Sequence, residues 1–137
     1  MLMAIFIDTG IFVAARNKSD TNHARAKQML RRALRAEFGR VVTSDYVVDE
    51  AVTVALARTH SHQIAVNTGK LIMDSPRIEK LVAGEERFLK AWEKFKTMSG
   101  RGLSFTDCMT LVIMEEIGTN KIMSFDSGFD GLVARIH

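Results

Sequence analysis

Two short apolar runs in this chain each end in an aspartate, and no other feature constrains its fold as much. Leu2 to Ile7 leads into Asp8, and Lys121-Ile122-Met123-Ser124-Phe125 leads into Asp126. A short continuous apolar run fits a parallel strand buried on both faces. An acid at the end of such a strand lies at the sheet's carboxyl edge, where open α/β sheets bind ligands. Ahead of the second run, Ser104 and Asp107 have capping-box spacing before an apolar segment, and Gly118 supplies the stop. A third acid therefore sits in the first turn of the helix that feeds the second strand.

The rest of the chain alternates in the same manner. Asp8 or Thr9 can cap a short helix through Ala14, and the Ser19-Asp20-Thr21-Asn22 cluster can cap a second helix running to about Phe38, with Gly39 closing it. On that second helix Ala26, Met29, Leu30, Ala33 and Leu34 recur as an inner face, with Lys27, Arg31 and Arg35 outside. Val41-Val42-Thr43 predicts a strand, and Ser44 or Asp45 caps a helix whose apolar stripe includes Val47, Val48, Ala51, Val52, Ala55 and Leu56. Asp49 and Glu50 border that stripe on opposite sides, so periodicity leaves open which of them faces a site. A weaker helical pattern from His60 to Met73 is broken at Asp74-Ser75-Pro76, and Arg77 to Val82 fits an edge strand. The next helix follows Gly84, with Phe88, Leu89, Trp92 and Phe95 on its apolar face, and Trp92 and Phe95 are expected as core or as a dimer contact rather than a base-stacking platform. A last strand covers Leu132 to Ile136. This alternation predicts an α/β fold, with a mainly parallel sheet covered on both faces.

At 137 residues, 47% hydrophobic and 26% charged, the chain fits one soluble domain over 1–137. No apolar segment reaches bilayer length, and the apolar start lacks the basic residues of a signal peptide, so a cytoplasmic protein with no membrane partner is expected. A single cysteine, Cys108, excludes an internal disulfide, and no Cys/His cluster has zinc spacing. The net charge is +3, concentrated between Arg16 and Arg40, where eight basic residues face only Asp20 and Glu37. Such a stripe is either a solvated helix face or a holder of phosphates.

Taken singly, the acids have simpler roles. Asp8 can be a helix cap, Asp107 a partner of the helix dipole, Asp126 a turn residue and Glu50 a solvated rim. Together they imply more. If the first and last apolar runs are neighbouring strands, Asp8, Asp107 and Asp126 share one edge, with Glu50 able to approach from its helix. Carboxylates that close raise one another's pKa unless a cation intervenes. An all-oxygen donor set favours Mg²⁺ or Mn²⁺ over zinc. No Gly-rich phosphate cradle is present, so no nucleotide cofactor is expected.

Phe6-Ile7-Asp8-Thr9, Val47-Val48-Asp49-Glu50, Leu103-Ser104-Phe105-Thr106-Asp107 and Ser124-Phe125-Asp126-Ser127-Gly128-Phe129 resemble, in order and across nearly the whole chain, the four acidic motifs of the PIN-domain family. Length and layout are similar to VapC-type toxins of toxin–antitoxin pairs. The resemblance implies a three-layer α/β/α sandwich and a divalent-metal-dependent ribonuclease. It also selects Glu50 over Asp49. Carried over by position, Asp8, Glu50, Asp107 and Asp126 form the acidic tetrad that would bind Mg²⁺ or Mn²⁺. Ser124 matches the small hydroxyl residue supporting the last carboxylate, where the family often has Thr, and Thr9 matches the hydroxyl after the first. Asp130 is assigned to turn formation.

The leading expectation is an endoribonuclease that hydrolyses RNA phosphodiester bonds, as the toxin of a toxin–antitoxin pair. RNA contacts are expected from Arg25, Arg31, Arg32, Arg35 and Arg101. For a free-standing toxin the resemblance implies a homodimer and a small antitoxin protein whose tail covers the site. Two rivals are a non-catalytic PIN-fold module binding RNA or protein, and an RNA-processing nuclease outside any toxin–antitoxin system. A receiver or phosphotransfer domain is disfavoured, because Asp8 is followed by Thr9-Gly10 without a second aspartate, and no lysine ends a strand as a receiver needs.

Overall fold

The computed structural model describes residues 3–137. Its elements are β1 (Ala4–Ile7), α1 (Thr9–Arg16), α2 (His23–Leu34), β2 (Arg40–Ser44), α3 (Asp45–Thr59), α4 (His62–Met73), β3 (Ile78–Leu81), α5 (Gly84–Thr97), α6 (Phe105–Ile117), β4 (Lys121–Met123) and β5 (Ala134–Ile136). A short 3₁₀ turn, Ser127–Phe129, joins the last two strands. Leu2, expected to begin the first strand, lies outside the described residues.

The strands form one sheet in the order β3-β2-β1-β4-β5, and every neighbouring pair is parallel. The chain steps from β1 to β2 to β3 in one direction, then returns across the sheet to β4 and continues to β5. Right-handed crossovers place α1 to α4 on one face and α5 and α6 on the other, giving the α/β/α sandwich. Packing agrees, since α1 lies against α2, α3 and α4, while α5 pairs with α6. The strand order reverses between β1 and β4. At such a switch point the flanking connections diverge to opposite faces and leave a crevice beyond the strand ends.

All four residues of β1 are buried, as its uninterrupted apolar run requires. Phe6, Phe12 and Phe129 are fully buried large side chains of the hydrophobic core. Each contributes about 1.5–3 kcal/mol by leaving water. Among the described residues no helix is long and apolar enough to cross a membrane.

Two local expectations are corrected. Helix α2 ends at Leu34, short of Phe38. Ala36 adopts a left-handed backbone with φ 65°, and a turn occupies the residues up to Gly39. Gly39 serves the entry to β2, not the helix end. Its φ is 85°, and a Cβ there would collide with the Met3 carbonyl. The second correction concerns α5, where Phe88, Leu89, Trp92 and Phe95 are all exposed and only Ala91 is buried. The core reading of that face fails because α6, its one extensive helical neighbour, buries Ala91 and meets the aromatic side chains only at Phe105, which leaves them exposed.

Candidate active-site cleft

Asp8 directly follows β1, and its backbone N–H donates to the Met123 carbonyl of β4 at 3.0 Å. The end of β1 is gripped from the other side by Thr43, whose hydroxyl donates to the Ile7 carbonyl at 3.0 Å. The Asp8 carboxylate caps α1, with Oδ1 accepting from the Thr9 N–H at 2.8 Å. Its Oδ2 accepts from the Ser124 hydroxyl at 2.6 Å. Ser124 also accepts from the Asp126 N–H at 3.0 Å. The expected role of Ser124 is thereby redistributed: its hydroxyl supports the first carboxylate, and it fixes only the backbone of the last acid.

Asp107 stands where Ser104 begins α6. Ser104 Oγ accepts from the Asp107 N–H at 3.0 Å, and Asp107 Oδ2 accepts from the Ser104 N–H at 2.9 Å, so the capping box is complete. Asp126 Oδ1 accepts from the Gly128 N–H at 2.8 Å and caps the 3₁₀ turn. Each local bond leaves the second oxygen of Asp107 and of Asp126 outside it. Ser44 begins α3 by accepting from the Val47 N–H, which sets the helix phase. In that phase Glu50 is half-buried and lines the cleft, whereas Asp49 is exposed and does not.

Asp8, Glu50, Asp107 and Asp126 thus line one cleft of about 390 Å³, together with Thr9, Gly10, Ser104 and Phe125. Burial pushes the Asp8 carboxyl up to about 7; the Ser124 bond opposes that, and the charges of Asp107 and Glu50 add to it. Asp107 is also raised by burial, against the two Ser104 bonds and with the charges of Asp126 and Glu50 adding. The Cys108 thiol is raised by burial and by neighbouring Asp107, as befits a buried core thiol rather than a nucleophile.

The donor set suits a hard divalent cation, being all oxygen and strained by mutual repulsion that a cation would relieve. Thr9 Oγ1 is buried with no protein partner, so an unclaimed oxygen lies beside Asp8. Among the described residues no three acidic, His or Cys side chains already stand close enough to hold an ion, so ligation requires side-chain movement within the cleft.

The basic residues are distributed differently from the acids, and none of Arg25, Arg31, Arg32, Arg35 and Arg101 lines the cleft. Arg25 donates to the His137 carbonyl, and Arg32 pairs with Glu37 and lies over the Phe38 ring. Arg101 donates to the Gly128 and Asp130 carbonyls, bracing the loop that carries Asp126. Asp130 forms a two-pronged pair with Arg135 and takes no part in the cleft, in keeping with its turn assignment. Sequence reasoning missed three residues lining the cleft: Asp20, Asn22 and Arg58. A signal for Arg58 was present in the spacing of Glu50, Val54 and Arg58, which puts all three on one helix face.

Three solved structures have a similar architecture. Mycobacterium tuberculosis VapC20, a sarcin-ricin loop cleaving toxin, superposes with a TM-score of 0.80 at 27% identity, covering 93% of this chain and 94% of that one. VapBC2 from Rickettsia felis, bound to a DNA fragment from its promoter, gives 0.63 at 15% identity over 98% of each chain. FitAcB from Neisseria gonorrhoeae gives 0.61 at 17% identity over 97% of this chain and 96% of that one. These last two share the fold. In sequence, a VapC ribonuclease from Archaeoglobus fulgidus is 28% identical over 128 residues, which is 93% of this chain and 80% of that protein. The PIN domain family pattern matches residues 5–133, a span that runs from β1 past Asp126 and includes all four acids, and the chain belongs to the PIN domain family.

Proposed function

We propose that this protein is a divalent-metal-dependent endoribonuclease acting as the toxin of a toxin–antitoxin pair. The observation that carries this reading is the placement of Asp8, Glu50, Asp107 and Asp126 around one cleft at the β1–β4 switch point. Asp8, Asp107 and Asp126 would hold the cation, with Glu50 completing the set. Mg²⁺ or Mn²⁺ bound there would acidify water and neutralise charge developing on a phosphate oxygen. Ser124 keeps the Asp8 carboxylate in one rotamer, and the Ser104 capping box does the same for Asp107. Asp8 and Asp107 are buried, which strengthens each of these electrostatic contacts.

The outer face of α2 and its C-terminal cap, with Arg25, Arg31, Arg32 and Arg35, would gather the RNA backbone by counterion release, and Arg101 would act close to the Asp126 loop. The exposed Phe88, Leu89, Trp92 and Phe95 support a homodimer formed through α5, because a contiguous apolar face this large is costly to leave in water. The toxin reading adds a small antitoxin whose tail covers the cleft, and places the activity in the cytoplasm.

The decisive experiment is cleavage of a mixed RNA pool by purified protein with Mn²⁺, with Mg²⁺ and with chelator, beside the Asp107→Asn variant. Metal-dependent cutting that the variant lacks is the expected result. Equal cutting by the variant, or cutting in chelator, would overturn the mechanism.

A further inference from the structure

The cleft is also lined by Ala14, Asp20, Asn22 and Arg58, residues outside the tetrad. Arg58 lies in the last turn of α3, two turns beyond Glu50 on the same face. At the α-helical rise, their backbone positions are about 12 Å apart along the axis. Arg58 is the one cation among the described residues lining the cleft, against five carboxylates. Its nearest acid is Asp20, whose Oδ2 is 4.0 Å from Nη1, too far for a hydrogen bond. Asp20 is itself pinned, with Oδ1 accepting from the Asn22 N–H at 2.8 Å. The Arg58 side chain is 60% exposed, so this loose pairing is cheap to break.

A polyanion entering a cleft with this excess of negative charge needs a positive foothold. A guanidinium provides one, because its planar fork matches two phosphate oxygens at once. We propose that Arg58 binds a phosphate flanking the scissile one and leaves Asp20 when RNA enters. The proposal rests on the nuclease reading above and adds a substrate contact to it. The separation from Glu50 removes Arg58 from the reacting atoms, so its effect falls on binding and register, not on the chemical step. Asp20 acts as the competitor that holds the guanidinium over the cleft until a phosphate replaces it.

Steady-state cleavage of a labelled single-stranded RNA with Mn²⁺, repeated across a salt series, tests this directly. Arg58→Ala should raise KM about tenfold with kcat nearly unchanged, and should reduce the log–log salt slope of binding by about 0.7. Arg58→Lys should recover part of the loss, and Asp20→Asn should lower KM. Lys70→Ala, an exposed cation on α4 outside the cleft, should leave all of these unchanged. An Arg58→Ala protein that keeps the parent's KM and salt slope overturns the subsite while the nuclease stands. So does a fall in kcat at constant KM. If the parent cuts no RNA, the nuclease reading itself fails, and the subsite fails with it.

Discussion

The Ser124 hydroxyl donates to Asp8 Oδ2 at 2.6 Å, joining side chains 116 positions apart in sequence across the β1–β4 pair. This bond counters the effect of burial on Asp8. Ser124→Ala should therefore lower the affinity for Mn²⁺ by about 10- to 100-fold, the usual cost of losing a partner that orients a ligand. Stability should fall by only about 1 kcal/mol. Ser124→Thr keeps the hydroxyl and should behave like the parent. Titration calorimetry with Mn²⁺ on the three proteins decides it.

The raised Asp8 carboxyl makes a prediction about pH. A carboxyl with an ordinary pKa of 3.8 when unfolded and about 7 when folded favours the folded state most below pH 4. That contribution is lost as pH rises toward 7, on the order of 4 kcal/mol in full. The metal-free protein should thus be less stable at pH 8 than at pH 5.5 by more than the Asp8→Asn variant is. Added Mn²⁺ should reverse the loss at pH 8, by about 2.7 kcal/mol at a hundredfold excess over its Kd, and should do little at pH 5. Thermal melts at both pH values, with and without metal, read out all four conditions.

Asp107 has two jobs that substitution can separate. Asp107→Asn keeps an oxygen able to accept from the Ser104 N–H, so the capping box survives and the melting temperature should move little. RNA cleavage should nonetheless fall by about 100-fold or more, because the charge that helps hold the cation is gone. Asp107→Ala should lose cleavage and also about 1 kcal/mol of helix capping. A pair of variants equal in activity but distinct in melting temperature is the expected signature.

On α5, Trp92 stacks near Phe95, and both Phe88 and Phe95 lie against Phe105 at the start of α6. Trp92→Glu should convert a dimer to a monomer in light scattering without unfolding it, since Trp92 is exposed in the single chain. A parent that is already monomeric at high micromolar concentration would remove the dimer reading.

The sheet was legible in the sequence because its signals are local. The run Ala4-Ile5-Phe6-Ile7 has no polar break, and the Ser104/Asp107 and Gly118 punctuation gives α6 its limits directly. That Asp8, Asp107 and Asp126 would share one cleft was legible for the same reason, since strand ends and first turns are positions that spacing reveals, whereas Glu50, in the middle of α3, could not be told from Asp49 by periodicity. The fate of the α5 face was not, because Phe88, Leu89, Trp92 and Phe95 have helical spacing whether the neighbour is a core or empty space. The end of α2 was misjudged because the turn depends on Ala36 taking a left-handed backbone, which no residue preference favours. The partner of the Ser124 hydroxyl was equally hidden, because it depends on the pairing of Ile7 with Met123 across the sheet.

That pairing also sets when the site can first exist. Strand β1 is made before β4 and can pair with β2 early, but its other flank stays open until β4 has followed. Until then Asp8 has neither the Met123 carbonyl nor the Ser124 hydroxyl, and the cleft lacks Asp126. A protein destructive to RNA would in this way emerge from its own ribosome inert, its chemistry postponed until the last strands close the sheet.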